Sequence, residues 1–398
     1  MKKRRGYSIC AVLLFLSLLS VSSVVSTLRR YDVVPVFDQD KSFEQVILED
    51  IWYDADIAPN LVSRIDNAED HVEFVMFKFD SRSIADSLIR AAERGVTVSV
   101  LIDARSTQYK IEDTPIEDYL LNGSEERIAL FRYNDAPNIM HNKVILIDDY
   151  ELCTGSQNMF DADIKNNYEV FFDFNIGEKT CSIIKAQIKN LKMDERTCVM
   201  NEGMRGGGLV SKTETGIDST DGESDMNSGR TYNSILDGIW FSPECDSRKT
   251  VVSVIESADH EIDVAMGFFR DETIRRALLR ANKRGVGIRI LMDDSYQDFA
   301  GLLEADGFDI RVYSKADSLM HYKTMLIDED MVFTGSLNFF ERSLDSDREM
   351  FMLLDSEKLN CKLKERFDYM WADKHCISPD AASISSRIKY YVKLLLSE

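Results

Sequence analysis

A nine-residue string recurs in this chain with six of its nine residues unchanged, and its return limits the fold more than any other feature. Met140-His141-Asn142-Lys143-Val144-Ile145-Leu146-Ile147-Asp148 comes back as Met320-His321-Tyr322-Lys323-Thr324-Met325-Leu326-Ile327-Asp328. Thr154-Gly155-Ser156-Gln157-Asn158 comes back as Thr334-Gly335-Ser336-Leu337-Asn338, and Glu169 as Glu349. Each pair stands 180 positions apart, with no insertion between the strings. Repetition at a fixed spacing means that one structural unit has been used twice.

The segments upstream match in a looser register. Ser81 to Gly95 parallels Asp271 to Gly285, each with an N-cap residue, helical apolar spacing and a glycine stop. An apolar, β-rich run follows each helix (Val96 to Ile102, Val286 to Met292) and another precedes it (Val72 to Phe77, Ile262 to Phe269). Trp52-Tyr53 parallels Trp240-Phe241; as early strand residues, both tryptophans are expected in the core rather than at a substrate entrance. Each half reads as strand, helix, strand, then a strand carrying His-x-Lys, a return through Gly-Ser and a final helix. That alternation predicts an α/β fold with helices covering a sheet. We expect halves over 45–200 and 234–380, a C-terminal helix over 381–398, and a flexible linker over 201–233, where Gly, Ser, Thr and Asp replace large apolar residues. About ten extra residues between Thr107 and Leu130 of the first half are expected to form a surface loop, within which Asn122-Gly123-Ser124 is a glycosylation sequon.

With 398 residues and 44% hydrophobic side chains, the chain can bury two substantial cores. Its 48 Lys and Arg against 69 Asp and Glu give a formal charge of −21. That balance repels polyanions at long range and disfavours a large nucleic-acid groove, but allows a small phosphate site. Met1-Lys2-Lys3-Arg4-Arg5 precedes an apolar run from Tyr7 to Thr27, which predicts a signal peptide or signal anchor over 1–27 and a body delivered to the secretory pathway, outside the cytosol. Of seven cysteines, Cys10 lies in that run. Cys181 with Cys198, and Cys361 with Cys376, sit in equivalent places and are expected to form two disulfides in an oxidising compartment.

His and Lys two apart on a strand share a face. Asp148 closes the strand, the Gly-Ser turn brings the chain back, and Asn158 follows two residues after Ser156. One unit thus presents an imidazole, an ammonium, a hydroxyl and a carboxamide, and two units double the set around one anion. The set lacks the thiolates or carboxylates of a metal site.

The pattern H-x-K-x4-D-x6-G-S-x-N, present twice, resembles the signature of the phospholipase D superfamily. The resemblance implies two pseudo-symmetric halves, each a mixed sheet flanked by helices, with the site at their interface and complete within a monomer. It also implies a two-step reaction without metal or cofactor. One histidine attacks phosphorus to form a phosphohistidine, and the other protonates the leaving alcohol, then activates water or an acceptor alcohol. On that pattern His141 is the nucleophile and His321 the acid. Lys143, Lys323, Asn158 and Asn338 hold the non-bridging oxygens, with Ser156 and Ser336 as supporting donors. Glu169 and Glu349 match the acidic position that orients the histidine. Asp148 and Asp328 belong to the motif in a supporting, structural part.

Other candidates read as ordinary structure. His71 and His260 are expected to be structural or surface positions, and His375 beside Cys376 lacks a second ligand pair. Cys153 matches Phe333 in the repeat and is expected to act as a small buried hydrophobe. The motif names the bond rather than the molecule. The acidic chain, its delivery to a membrane system and the lack of a nucleic-acid module favour hydrolysis of a phospholipid head-group phosphodiester at a membrane surface. A nuclease acting on single-stranded nucleic acid is the alternative, and an inactive membrane-associated scaffold a distant third.

Overall fold

The apolar runs become strands and the amphipathic segments between them become helices, and each kind of element recurs in the second half. The computed structural model describes residues 44–203 and 232–379, all within one compact unit spanning Ser42–Glu398. The signal segment over 1–27, the expected helix over 381–398 and most of the expected linker lie outside the described residues. No helix among the described residues is long and apolar enough to cross a membrane.

From its outer edge, the first half's sheet runs Thr197–Asn201, Ala129–Tyr133, Thr97–Asp103, His71–Met76, Lys143–Ile147, Glu151–Gly155, Val170–Asn175 and Glu44–Tyr53. The second continues with Tyr232–Ser242, Glu349–Asp355, Met331–Gly335, Lys323–Ile327, Glu261–Met266, Gly287–Asp293, Asp309–Tyr313 and Cys376–Ile377. In each half the strands on either side of the amphipathic helix pair in parallel, as a strand–helix–strand crossover requires. The His-x-Lys strand then adds antiparallel. Each half is thus a mixed sheet flanked by helices. The two sheets join edge to edge where Glu44–Tyr53 pairs antiparallel with Tyr232–Ser242, giving one 16-stranded sheet.

Helix boundaries follow local chemistry. Arg82–Glu93 buries Ile84, Ala85, Leu88, Ala91 and Ala92 along one face. Its counterpart Glu272–Arg284 starts where Asp271 accepts the Ile274 amide at 2.9 Å and stops at Gly285, whose φ of 103° suits glycine. The central strands Lys143–Ile147 and Lys323–Ile327 are buried throughout, because helices cover both faces. Trp52 is buried in the core, and Trp240 is half-buried against it, stacked on Phe351.

Several expectations need correction. The roughly ten extra residues between Thr107 and Leu130 are not wholly irregular. A short hairpin (Lys110–Ile111 with Thr114–Pro115) leads into helix Ile116–Gly123, whose Ile116 and Leu120 are fully buried at i, i+4 spacing. The linker is shorter than expected, since Asn201 closes a strand paired to Ala129–Tyr133 and Tyr232 opens the strand that joins the halves. The expected disulfides are not formed: Cys181, Cys198, Cys361 and Cys376 are all free thiols. In each pair one cysteine is buried and the other exposed.

Candidate active site

The halves meet by exchanging backbone bonds around the two histidines. His141 donates its amide to the Arg348 carbonyl at 2.8 Å, and His321 donates to the Tyr168 carbonyl at 2.9 Å. The residues just before each histidine are pinned the same way: Asp347 accepts the Ile139 amide and Asn167 accepts the Leu319 amide, both at 2.9 Å. Asp103 and Asp293, at the ends of equivalent strands, accept the Met140 and Met320 amides at 2.8 and 3.1 Å. Paired this way, the backbone has little freedom to turn either imidazole out of the interface.

Across that interface each histidine is held by the carboxylate of the other half. Nδ1 of His141 lies 2.8 Å from Glu349, and Nδ1 of His321 lies 2.7 Å from Glu169. Nδ1 of His141 also lies 3.1 Å from the Ser336 carbonyl, which can only accept, so the proton sits on Nδ1 and Nε2 carries the lone pair. Ser336 donates to Glu349 at 2.5 Å and Ser156 donates to Glu169, so each serine fixes the carboxylate that fixes a histidine. The Gly-Ser turn makes this possible. A Cβ on Gly155 would collide with the Val170 carbonyl and one on Gly335 with the Met350 carbonyl, and φ at Gly335 is +147°.

Lys143 and Lys323 are fully buried, and each donates to the carbonyl of its own motif histidine, at 2.7 and 2.6 Å. Phe77 lies edge-on to His141 and under the Lys143 ammonium; Phe268 does the same for His321 and Lys323. Burial pushes Lys143 down to about 7 and Lys323 to about 8, against the pull of Glu349 and Glu169. Burial likewise pushes Glu169 up to about 7 and Glu349 to about 8, with the lysines opposing it. Both histidines are held well below the usual range, first by burial and then by the surrounding ammoniums. The two lysines and two glutamates balance in number, and an anion bound between the lysines would favour their charged forms.

The structure brings His141, His321, Lys143, Lys323, Ser156, Ser336, Asn158, Asn338, Glu169 and Glu349 into this buried interface. Asp148 and Asp328 stand apart from it. Asp148 accepts the amides of Glu69, Asp70 and His71 at 2.8–2.9 Å, and Asp328 those of Asp259, His260 and Glu261 at 2.7–3.0 Å. Each caps the turn before the first parallel strand of its half.

Away from the interface, His71 pairs with Asp149, His260 is exposed, and His375 pairs with Asp373. Cys153 is buried as expected, but its surroundings are not apolar: its sulfur lies 3.9 Å from Glu151 and 3.8 Å from Asp173. These three are the one acid–thiol group among the described residues spaced closely enough for a metal ion. The Arg64 guanidinium already supplies the cation, 2.5 Å from Asp173 and 3.2 Å from Glu151.

Two polar residues near the site were missed from sequence. Lys78 lies over the rings of Phe77 and Phe160, with no hydrogen-bond or ion-pair partner among the described residues. Asp163 accepts from the Asn158 carboxamide at 3.2 Å. Both are places where the repeat fails, since Lys78 matches Phe268 and Asp163 matches Ser343; a search for matches passes over them.

The family model described as "Cardiolipin synthase, PLD-like domain" matches residues 61–190 and 251–371, one span over each motif. Cardiolipin synthase A of Proteus mirabilis is 24% identical over 352 residues, which cover 78% of this chain and 66% of that protein. Cardiolipin synthase A of Serratia proteamaculans is 24% identical over 325 residues, covering 75% and 63%. The chain therefore spans just under two thirds of the length of these relatives. Among solved structures, phosphatidylserine synthase of Haemophilus influenzae superposes with a TM-score of 0.61 at 12% identity, over 89% of this chain and 96% of that one. Polyphosphate kinase of Porphyromonas gingivalis gives a TM-score of 0.55 at 12% identity, over 87% and 52%. At that identity the likeness is one of fold.

Proposed function

This chain belongs to the Cardiolipin synthase, PLD-like domain family, and from that premise we propose that it cleaves a phospholipid phosphodiester and passes the phosphatidyl group to an alcohol. The observation that carries the reading is the pair of crossed His–Glu contacts around two buried lysines. Curated relatives named as synthases favour transfer over the hydrolysis expected from sequence.

In the first step Nε2 of His141 attacks phosphorus, and the bond to the leaving alcohol breaks as that oxygen takes a proton from Nε2 of His321. In the second, His321 takes the proton back from an acceptor alcohol, whose oxygen attacks phosphorus and releases Nε2 of His141. Glu349 stabilises the charge that develops on His141, and Glu169 holds His321 in register. Lys143 and Lys323 neutralise the non-bridging oxygens, which gain charge in the transition state. Asn158 and Asn338 donate to the same oxygens from just beyond the second strand of each motif. Every step uses side chains of one chain, so a monomer suffices. The body acts outside the cytosol, a proposal resting on the basic start and apolar run of residues 1–27.

The test incubates the chain in chelator with labelled phospholipid vesicles, with and without glycerol as acceptor, and separately with single-stranded oligonucleotides. A His141→Ala, His321→Ala double variant is the blank. Labelled phosphatidylglycerol formed at the expense of head-group lipid supports the reading. Phosphatidic acid as sole product would turn it to hydrolysis, and cleaved oligonucleotides with intact lipid would overturn the lipid substrate. Protease treatment of cells whose outer membrane system is opened but whose internal membrane compartments stay sealed tests the location: a body digested together with cytosolic proteins contradicts it.

A further inference from the structure

Each motif residue occurs twice, yet the two histidines must work in opposite protonation states. Something beyond the motif has to break the two-fold symmetry. Close to the motifs, the repeat positions that differ include Asn142 against Tyr322, Gln157 against Leu337, and Asp163 against Ser343. Of these three, only the last changes a charge; among the residues that pin the backbone before each histidine, Asn167 against Asp347 and Tyr168 against Arg348 change one as well.

Ser343 belongs to the cradle of His141. Its hydroxyl donates to Glu349 at 2.5 Å and accepts the Asn338 amide at 2.9 Å, so Glu349 is held by two hydroxyls, from Ser336 and Ser343. Asp163 has no proton to donate to Glu169. Its carboxylate, partly buried, turns instead to the Asn158 carboxamide and acts on His321. The first half thus puts an extra negative charge beside one histidine where the second half puts a hydroxyl beside the other.

We propose that Asp163 is the positioning residue that breaks the symmetry of the site, keeping the travelling proton on Nε2 of His321 and leaving His141 as nucleophile. The proposal rests on the two-histidine reading above. His321 is faced by Glu169 at Nδ1, by the ammoniums of Lys323, Lys143 and Lys78, and by Asp163. The ammoniums oppose an imidazolium there; the two carboxylates favour it. His141 is faced by Glu349, Lys143, Lys323 and His321, with a hydroxyl at the place matching Asp163; the Asp347 carboxylate lies further off, engaged by the Ile139 amide and the Arg342 guanidinium.

The test titrates the full chain carrying 15N-labelled histidine, saturated with inorganic phosphate, by NMR. The set is wild type, Asp163→Asn, Asp163→Ser and Asp163→Glu; serine is what the second half carries at the matching place. In wild type the His321 midpoint should lie above that of His141. Asn or Ser should lower it by roughly half to one pH unit, moving His141 less, and Glu should restore it. The alkaline limb of bis(p-nitrophenyl) phosphate turnover should move down by the same amount. A His321 midpoint below that of His141 in wild type, or one left in place by Asp163→Asn in folded protein, overturns the proposal. The expected midpoints without any diester turnover would support the part given to Asp163 while counting against the phosphodiesterase reading.

Discussion

The carboxylate of Glu349 lies 2.8 Å from Nδ1 of His141, in the opposite half of the chain. Glu169 returns the contact to His321 at 2.7 Å. Neither half therefore contains a complete histidine–carboxylate pair, and the reaction centre exists only where the halves meet.

Crossed pairing predicts which losses share a cause. Glu349→Gln keeps the shape but removes the charge that stabilises His141 as it becomes cationic, and should lower kcat by about 10²–10⁴-fold. Added to His141→Ala it should cost little more, while the same change combined with Glu169→Gln should compound. Double-variant kinetics check this. Full additivity of Glu349→Gln with His141→Ala would contradict the pairing.

Lys143 and Lys323 are buried ammoniums whose value lies in the transition state. Lys143→Met or Lys323→Met should reduce kcat by about 10²–10³-fold, as the loss of one charge-stabilising donor does elsewhere. Tm should hold or rise, because an apolar side chain of similar volume avoids the cost of desolvating the charge. Thermal melts beside kinetics separate the two effects; a collapse of Tm would give the lysines a structural role.

The site should take up protons when it binds an anion. Burial holds Lys143 near 7 and Lys323 near 8, so near pH 8 both are largely or partly neutral. A phosphate between them raises both, and protons enter from solution; near pH 6 both are already charged and the uptake shrinks. Calorimetry of phosphate binding in buffers of different ionisation enthalpy measures this. Net release at pH 8 would contradict it.

Asp148 and Asp328 each accept three backbone amides, so their removal should cost stability rather than chemistry. Asp148→Ala or Asp328→Ala should destabilise by about 2–4 kcal/mol, since charged acceptors are lost and amides left unpaired. Denaturant titration gives the value. A folded variant with unchanged stability and lost activity would move these residues into the site.

What was legible in the sequence was whatever a half does by itself. The repeat located both units, the helix stops at Gly95 and Gly285, and the grouping of His141, Lys143, Ser156 and Asn158. The crossed carboxylates were not legible, because Glu169 follows His141 in its own copy and only the exchange of backbone bonds at Arg348 and Tyr168 sends it to His321. Cys153 was read from its apolar repeat partner Phe333; its acidic neighbour Asp173 comes from the adjacent strand, and that register is a tertiary fact. The expected disulfides are not formed, and in each pair one cysteine is buried while the other is exposed, which the spacing of cysteines in a sequence does not reveal.

The central claim is a covalent intermediate on His141 with His321 moving the proton. Rapid acid-free quenching of the chain with phospholipid labelled in its phosphatidyl group, followed by peptide mapping, tests it most directly. The account predicts label on His141 in the wild type and none in His141→Ala. Turnover with no labelled histidine, or label found on His321 in the wild type, would contradict it.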